Sequence, residues 1–178
     1  FKKAGELKCP VVLHLDAPYL PDKQTGERAS QSMWFGGTID NLERALVLCP
    51  QTIFIGHAPG FWRSISGDAE NDPEPYPQGA IGPGGAVVRL LDQYPNLYAD
   101  LSAGSGLRAL RRDIEHGKQF CARYADRLLF ARDYYGGELL EFLNSLNLSG
   151  DVMEKIFWKN AASLIGPPES NPPPLRKL

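Results

Sequence analysis

The sequence contains no apolar run approaching the roughly 20 residues that a membrane-spanning helix requires. It also has no excess of positive charge. Lys and Arg number 19 against 21 Asp and Glu, for a formal net charge of -2, which argues against a nucleic-acid or polybasic membrane surface. Cysteine is scarce: Cys9, Cys49 and Cys121 are widely spaced and odd in number. They make neither a metal-ligand pair nor a disulfide framework, so a reducing, cytoplasmic compartment is expected. Phe1 to Glu6 carries no apolar stretch after its charges, so no signal peptide is read there. No G-x-G-x-x-G follows the first predicted strand, which removes a Rossmann site. Histidine is as rare as cysteine, with 3 in 178 residues.

What is present is the composition of an ordinary globular domain, 43% hydrophobic and 22% charged, long enough to bury a substantial core. The organising stretch is Thr52 to Gly60, TIFIGHAPG. Its β-favouring run ending in Gly56-His57 reads as a strand buried on both faces, with a histidine at its carboxyl end. Further strands are expected at 11–15 (VVLHL), 96–101 (NLYADL) and 127–131 (RLLFA), ending near His14, Asp100 and Asp133. Helical spacing follows each: Ile39, Leu42, Leu46 and Cys49 after a Thr38 cap; 86–94; 107–124 in two pieces with a break near Gly117; then 139–146 and a helix capped by Ser149. FKKAGELKCP reads as a helix tail with Gly5 as its stop, so the chain is expected to begin inside an α/β unit with sequence upstream. Residues 19–37 and 61–85 read as loops, the second either a lid or a solvated excursion. The tail after Gly166 is proline-rich and expected to be extended or disordered.

Strand and helix thus alternate four times, the pattern of parallel strands joined by crossovers. Parallel strands end on one edge of a sheet, where α/β proteins bind ligands. His14, His57, Asp100 and Asp133 would meet there. Imidazole and carboxylate suit zinc and other divalent first-row metals, and a metal-activated water needs a neighbouring proton acceptor. The alternatives are structural: histidines satisfied by hydrogen bonds, and an Asp100 bonded to its own turn amides. His116 reads as a solvated helix residue, as do Arg108, Arg111 and Arg112, with Arg108 placed to reach an anionic substrate. Trp34, Phe35, Phe61 and Trp62 read as packing, with a substrate wall as the alternative.

Taken in order, VVLHLD, IFIGHAPGFW, NLYADLSAGSG, DRLLFARDYY and IFWKNAASLIG resemble the C-terminal half of the amidohydrolase-related metal-dependent hydrolases. This is the TIM-barrel group that also contains aminocarboxymuconate-semialdehyde decarboxylase. The resemblance implies an α/β fold of about four βα units, half of a (β/α)8 barrel, over residues 1–166, with 167–178 a separate tail. It implies a divalent metal, zinc first and manganese or iron as alternatives. His14 and Asp133 would be metal ligands, His57 and Asp133 catalytic, and Asn160 structural. Trp62 and Arg132 are the expected substrate contacts. Arg132 departs from the small residue usual before the aspartate, and would either pair with Asp133 or bind a substrate carboxylate. The family's His-x-His pair of the first barrel strand is not in this chain, so the missing N-terminal half is the expected partner, beside a small-molecule substrate. Self-association is left open. A catalytically inactive barrel acting as a binding module is the alternative function.

Overall fold

The computed structural model describes residues 1–16, 19–21, 24–25, 27–30, 36–69, 72 and 74–166. The tail at 167–178 and the pair Trp34 and Phe35 lie outside the described residues.

The chain opens with helix α1 (Lys2–Glu6) and strand β1 (Val11–His14). Gly5 does not end α1: it lies within it, where a Cβ would sit 2.7 Å from Thr52 Oγ1, and the helix ends before Lys8 with its positive φ of 53°. Strands β2 (Tyr19–Pro21) and β3 (Arg28–Ser30) then pair antiparallel. This small hairpin lies where a loop was expected, because the polar run between its strands shows no period-two alternation.

Helix α2 (Ile39–Leu48) starts at a capping box, in which Thr38 Oγ1 accepts from Asn41 N and Asn41 Oδ1 accepts from Thr38 N. Its buried Leu42 and Leu46, one turn apart, face the sheet. Strand β4 (Phe54–His57) is buried at every position, as its apolar run predicts. Next come α3 (Pro59–Trp62), α4 (Ala86–Gln93), β5 (Leu97–Asp100), α5 (Ala103–Arg111) and α6 (Ile114–Arg123). The break between α5 and α6 falls at Arg112-Asp113 rather than near Gly117. Asp113 caps α6 by accepting from His116 N, whereas Gly117 lies inside α6, where its bare Cα lets the helix approach Leu110 O. Strand β6 (Leu128–Leu129), α7 (Glu138–Ser145), α8 (Gly150–Glu154), a π-helical turn (Lys155–Lys159) and α9 (Asn160–Ile165) complete the described chain.

The main sheet has the order β1-β4-β5-β6, parallel throughout. Spatial order follows chain order, as in consecutive units of a (β/α)8 barrel and unlike a doubly wound sheet. The α/β fold of about four βα units expected from the sequence is therefore the fold found. Phe54, Leu97, Ala99, Leu101 and Leu128 point from the sheet into one core with Leu42, Leu46, Val87, Leu90, Leu107, Leu110, Leu143 and Ile156 of the helices. Each large side chain buried this fully contributes roughly 1.5–3 kcal/mol relative to exposure. Two buried asparagine amides pin the layers together. Asn96 donates to Thr52 O at 3.1 Å, and Asn160 to Ala125 O and Leu128 O at 2.7 and 2.8 Å. Among the described residues no helix is long and apolar enough to cross a membrane.

Candidate functional site

Register places the rim. His14 pairs with His57 across β1 and β4, and Gly56 pairs with Ala99, which brings Asp100 level with His57 on the next strand. The rings of His14 and His57 have centroids 5.2 Å apart at an interplanar angle of 60°. Nε2 of His57 is 4.0 Å from Oδ2 of Asp133. His57 is buried at 8% exposure, whereas the side chains of His14 and Asp133 are 53% and 58% exposed. Three strand ends thus deliver His14, His57 and Asp133 to one place, with the buried ring in the middle. Nε2 of His14 also lies 3.5 Å from Oδ1 of Asp16.

The other nitrogen of His57 faces inward, with Nδ1 3.0 Å from Oδ2 of Asp100. That hydrogen bond raises the pKa of His57 against the opposing effect of burial, with the charges of Asp100 and Asp133 adding to the rise. For Asp100 burial alone would raise the carboxyl. Hydrogen bonds from His57 and from the Ser102 hydroxyl and amide overcome it, so the carboxyl is held below its ordinary value. The turn bonding expected of Asp100 is present: Oδ1 accepts from Ser102 N at 2.8 Å and Oδ2 from Ser102 Oγ at 2.6 Å. Its contact with His57 is an addition that sequence spacing did not reveal.

The turns after three strands carry positive φ on residues with a Cβ: Ala58 at 80°, Ala103 at 58° and Asp133 at 62°. Left-handed backbone is costly for alanine and tolerated by aspartate, and such strain concentrates at functional sites. The turn after β4 is drawn tightly under the β1 loop, with Gly60 N donating to Leu15 O at 2.7 Å. A Cβ on Gly60 would lie 2.2 Å from Asp16 O, so only glycine fits there.

Arg132 does not pair with Asp133. Its Nε donates to Gly136 O at 3.1 Å and its Nη2 to Tyr135 O at 2.6 Å, shaping the loop that carries the aspartate. Arg132 also lines a cavity of about 490 Å³ with Phe130, Tyr134, Leu139 and Leu140. Trp62 is only 1% exposed, which puts its ring in the core, and Nε1 donates to Asp100 O at 2.8 Å. Phe61 is fully buried. Arg108 lies over the ring of Tyr76, 4.5 Å from its centroid. His116 is not simply solvated: it stacks on Phe120 at 26°, and its Nε2 is buried without a partner among the described residues. Burial pushes the Cys121 thiol up to about 12, so it is no nucleophile.

The segment after α3 is a strap fastened to the helical layer. Arg112 donates from Nε to Gly79 O and from Nη2 to Gln78 O and Ala80 O, at 2.8, 2.9 and 3.1 Å. Asp113 Oδ2 accepts from Ile81 N at 3.2 Å, and Arg63 donates to Ala69 O and Asp72 O. The Arg112 and Asp113 ties hold the segment to the junction of α5 and α6, and those of Arg63 lie within the segment itself.

The rim donors are of the kind that divalent first-row metals take. The fit is one of donor type and not of closed geometry: among the described residues no group of three or more His, Cys, Asp or Glu could hold a metal ion. With a proton on Nδ1 directed at Asp100, neutral His57 keeps a lone pair on Nε2, where it can exchange a proton at the rim.

The sequence model of the amidohydrolase family matches residues 1–166. A comparison with curated proteins finds no match. Among solved structures, the chain is similar to a 2,6-dihydroxybenzoate decarboxylase from Rhizobium, at 17% identity and a TM-score of 0.46. That alignment covers 91% of this chain and 52% of the other, so the chain spans about half the length of the structure it matches.

Proposed function

The chain belongs to the amidohydrolase family, and from that premise we propose that its rim serves a metal-dependent hydrolase or a related decarboxylase. The substrate is a small carbonyl, amide or ester compound. The observation that supports this most is the convergence of His14, His57 and Asp133, with centroids 5.2 Å apart for the two rings and 4.0 Å between His57 Nε2 and Asp133 Oδ2.

In this reading His14 and Asp133 hold a divalent ion, zinc first and manganese or iron as alternatives, together with donors from outside this chain. Such an ion, when bound, polarises a carbonyl and lowers the pKa of bound water. His57 takes or returns a proton at Nε2, and its buried position keeps the ring fixed while it does so. Asp133 accepts a proton on its exposed carboxylate. Arg132, next to Asp133 in the chain, would offer positive charge to an anionic substrate group. Trp62 acts through Asp100 O rather than on the substrate. β1 and β6 are the two edges of the sheet. The partner proposed for them is a further set of βα units, which would close the barrel. Three free thiols suit a cytoplasmic setting.

The test is turnover by the full-length protein on a panel of small amides, esters and carboxylates, with zinc or manganese supplied. Activity in the wild type and its loss in His57→Asn, with metal retained, supports the reading. Ligand binding without any turnover supports the binding-module alternative.

A further inference from the structure

A carboxylate that merely closes a strand-to-helix turn needs one oxygen on one backbone amide. Oδ1 of Asp100 does this, taking Ser102 N at 2.8 Å. Oδ2 remains, and two donors converge on it: Ser102 Oγ at 2.6 Å and His57 Nδ1 at 3.0 Å. The backbone beneath is held from both sides. Trp62 Nε1 donates to Asp100 O at 2.8 Å, and Leu101 N donates to Leu129 O at 3.0 Å.

This arrangement decides where the ring proton sits. A proton on Nε2 would leave the Nδ1 lone pair facing a carboxylate oxygen at 3.0 Å, which is repulsive. The single rescue would be Ser102 Oγ, 3.4 Å from Nδ1, but its one proton is already committed at 2.6 Å to Asp100. His57 and Ser102 are 8% and 2% exposed, so solvent has little access to compete. Nδ1 therefore carries the proton when the ring is neutral. Nε2 presents its lone pair toward Asp133, whose Oδ2 at 4.0 Å is too distant for a hydrogen bond.

We propose that Asp100 is a positioning residue that fixes His57 in the Nδ1–H form and so reserves Nε2 for proton exchange at the rim, with Ser102 and Trp62 holding Asp100 in place. This rests on the proposed role of His57. A second-sphere carboxylate fixing an imidazole in this way is a general device of acid–base and metal sites. Asparagine tests it sharply. With its oxygen retained by Ser102 N, the amide nitrogen of Asp100→Asn faces Nδ1 as a donor. The ring must then turn its lone pair to Nδ1 and carry its proton on Nε2.

The measurement is ¹⁵N NMR of the imidazole nitrogens in the full-length protein, at a pH where His57 is neutral. The His57 signals are identified as those that disappear in His57→Asn. Wild type is expected to show Nδ1 protonated, Ser102→Ala to keep that form, and Asp100→Asn to reverse it. Nε2–H in the wild type overturns the proposal, as does an unchanged tautomer in Asp100→Asn. If Asp100→Asn does not fold, the wild-type and Ser102→Ala spectra still decide. None of these spectra requires turnover, so loss of the hydrolase reading and loss of this proposal are distinguishable.

Discussion

Nε2 of His57 and Oδ2 of Asp133 lie 4.0 Å apart across the carboxyl edge of the sheet, one side chain buried and the other half exposed. Nothing local brings them together. The parallel register of β4, β5 and β6 does, helped by the left-handed backbone at Asp133 and a hydrogen bond from Ala103 N to Arg132 O at 3.2 Å.

The His57–Asp100 pair has a pH signature. His57 holds its proton more tightly folded than unfolded, so its share of stability is complete below its ordinary value of 6.5 and is lost as pH rises through the folded value. The share from Asp100 is present above its ordinary 3.8 and is lost as pH falls through its depressed folded value. Thermal unfolding should therefore show this pair's contribution greatest between those limits. In Asp100→Asn the curve should flatten and the His57 pKa should fall below its ordinary value, since the largest remaining influence is burial. An NMR titration that leaves the His57 pKa raised in that variant contradicts the assignment.

Asp113 does two jobs, capping α6 through Oδ1 and holding the strap through Ile81 N on Oδ2. Losing an N-cap costs about 0.5–2 kcal/mol. Asp113→Ala should lower stability by that order and speed hydrogen exchange at the Ile81 amide. An Ile81 amide as protected as in wild type would show that the strap is held elsewhere.

Glycine to alanine inside a helix ordinarily gains about 1 kcal/mol. At Gly117 the new Cβ would sit 2.5 Å from Leu110 O, a backbone atom of α5 that cannot move alone. Gly117→Ala should therefore destabilise. Gly150→Ala, with nothing within 4 Å of the added Cβ, should stabilise. Melting temperatures that move in the same direction would refute the packing described between α5 and α6.

The same glycine shows where sequence reading stopped. Gly117 looked like a helix breaker because propensity records backbone cost and not the neighbour that glycine admits. The true break had a local signal, Asp113 directly before Ile114-Glu115, which is N-cap chemistry. His14, His57 and Asp133 were legible because each ends an apolar run, and parallel strands must end together. The contact of Asp100 with His57 was not, since it depends on interstrand register, and no pattern within one strand encodes that. Trp62 reads from the sequence as packing, with a substrate wall as the alternative because it follows His57 closely, and its ring lies in the core with Nε1 on Asp100 O.

The most direct test of the metal-dependent reading is metal analysis of the purified full-length protein beside its His14→Ala variant. One divalent ion per chain in the wild type, lost or sharply reduced in the variant, is the predicted result. Equal metal content in the two proteins, or none in either after supplying zinc and manganese, would contradict it.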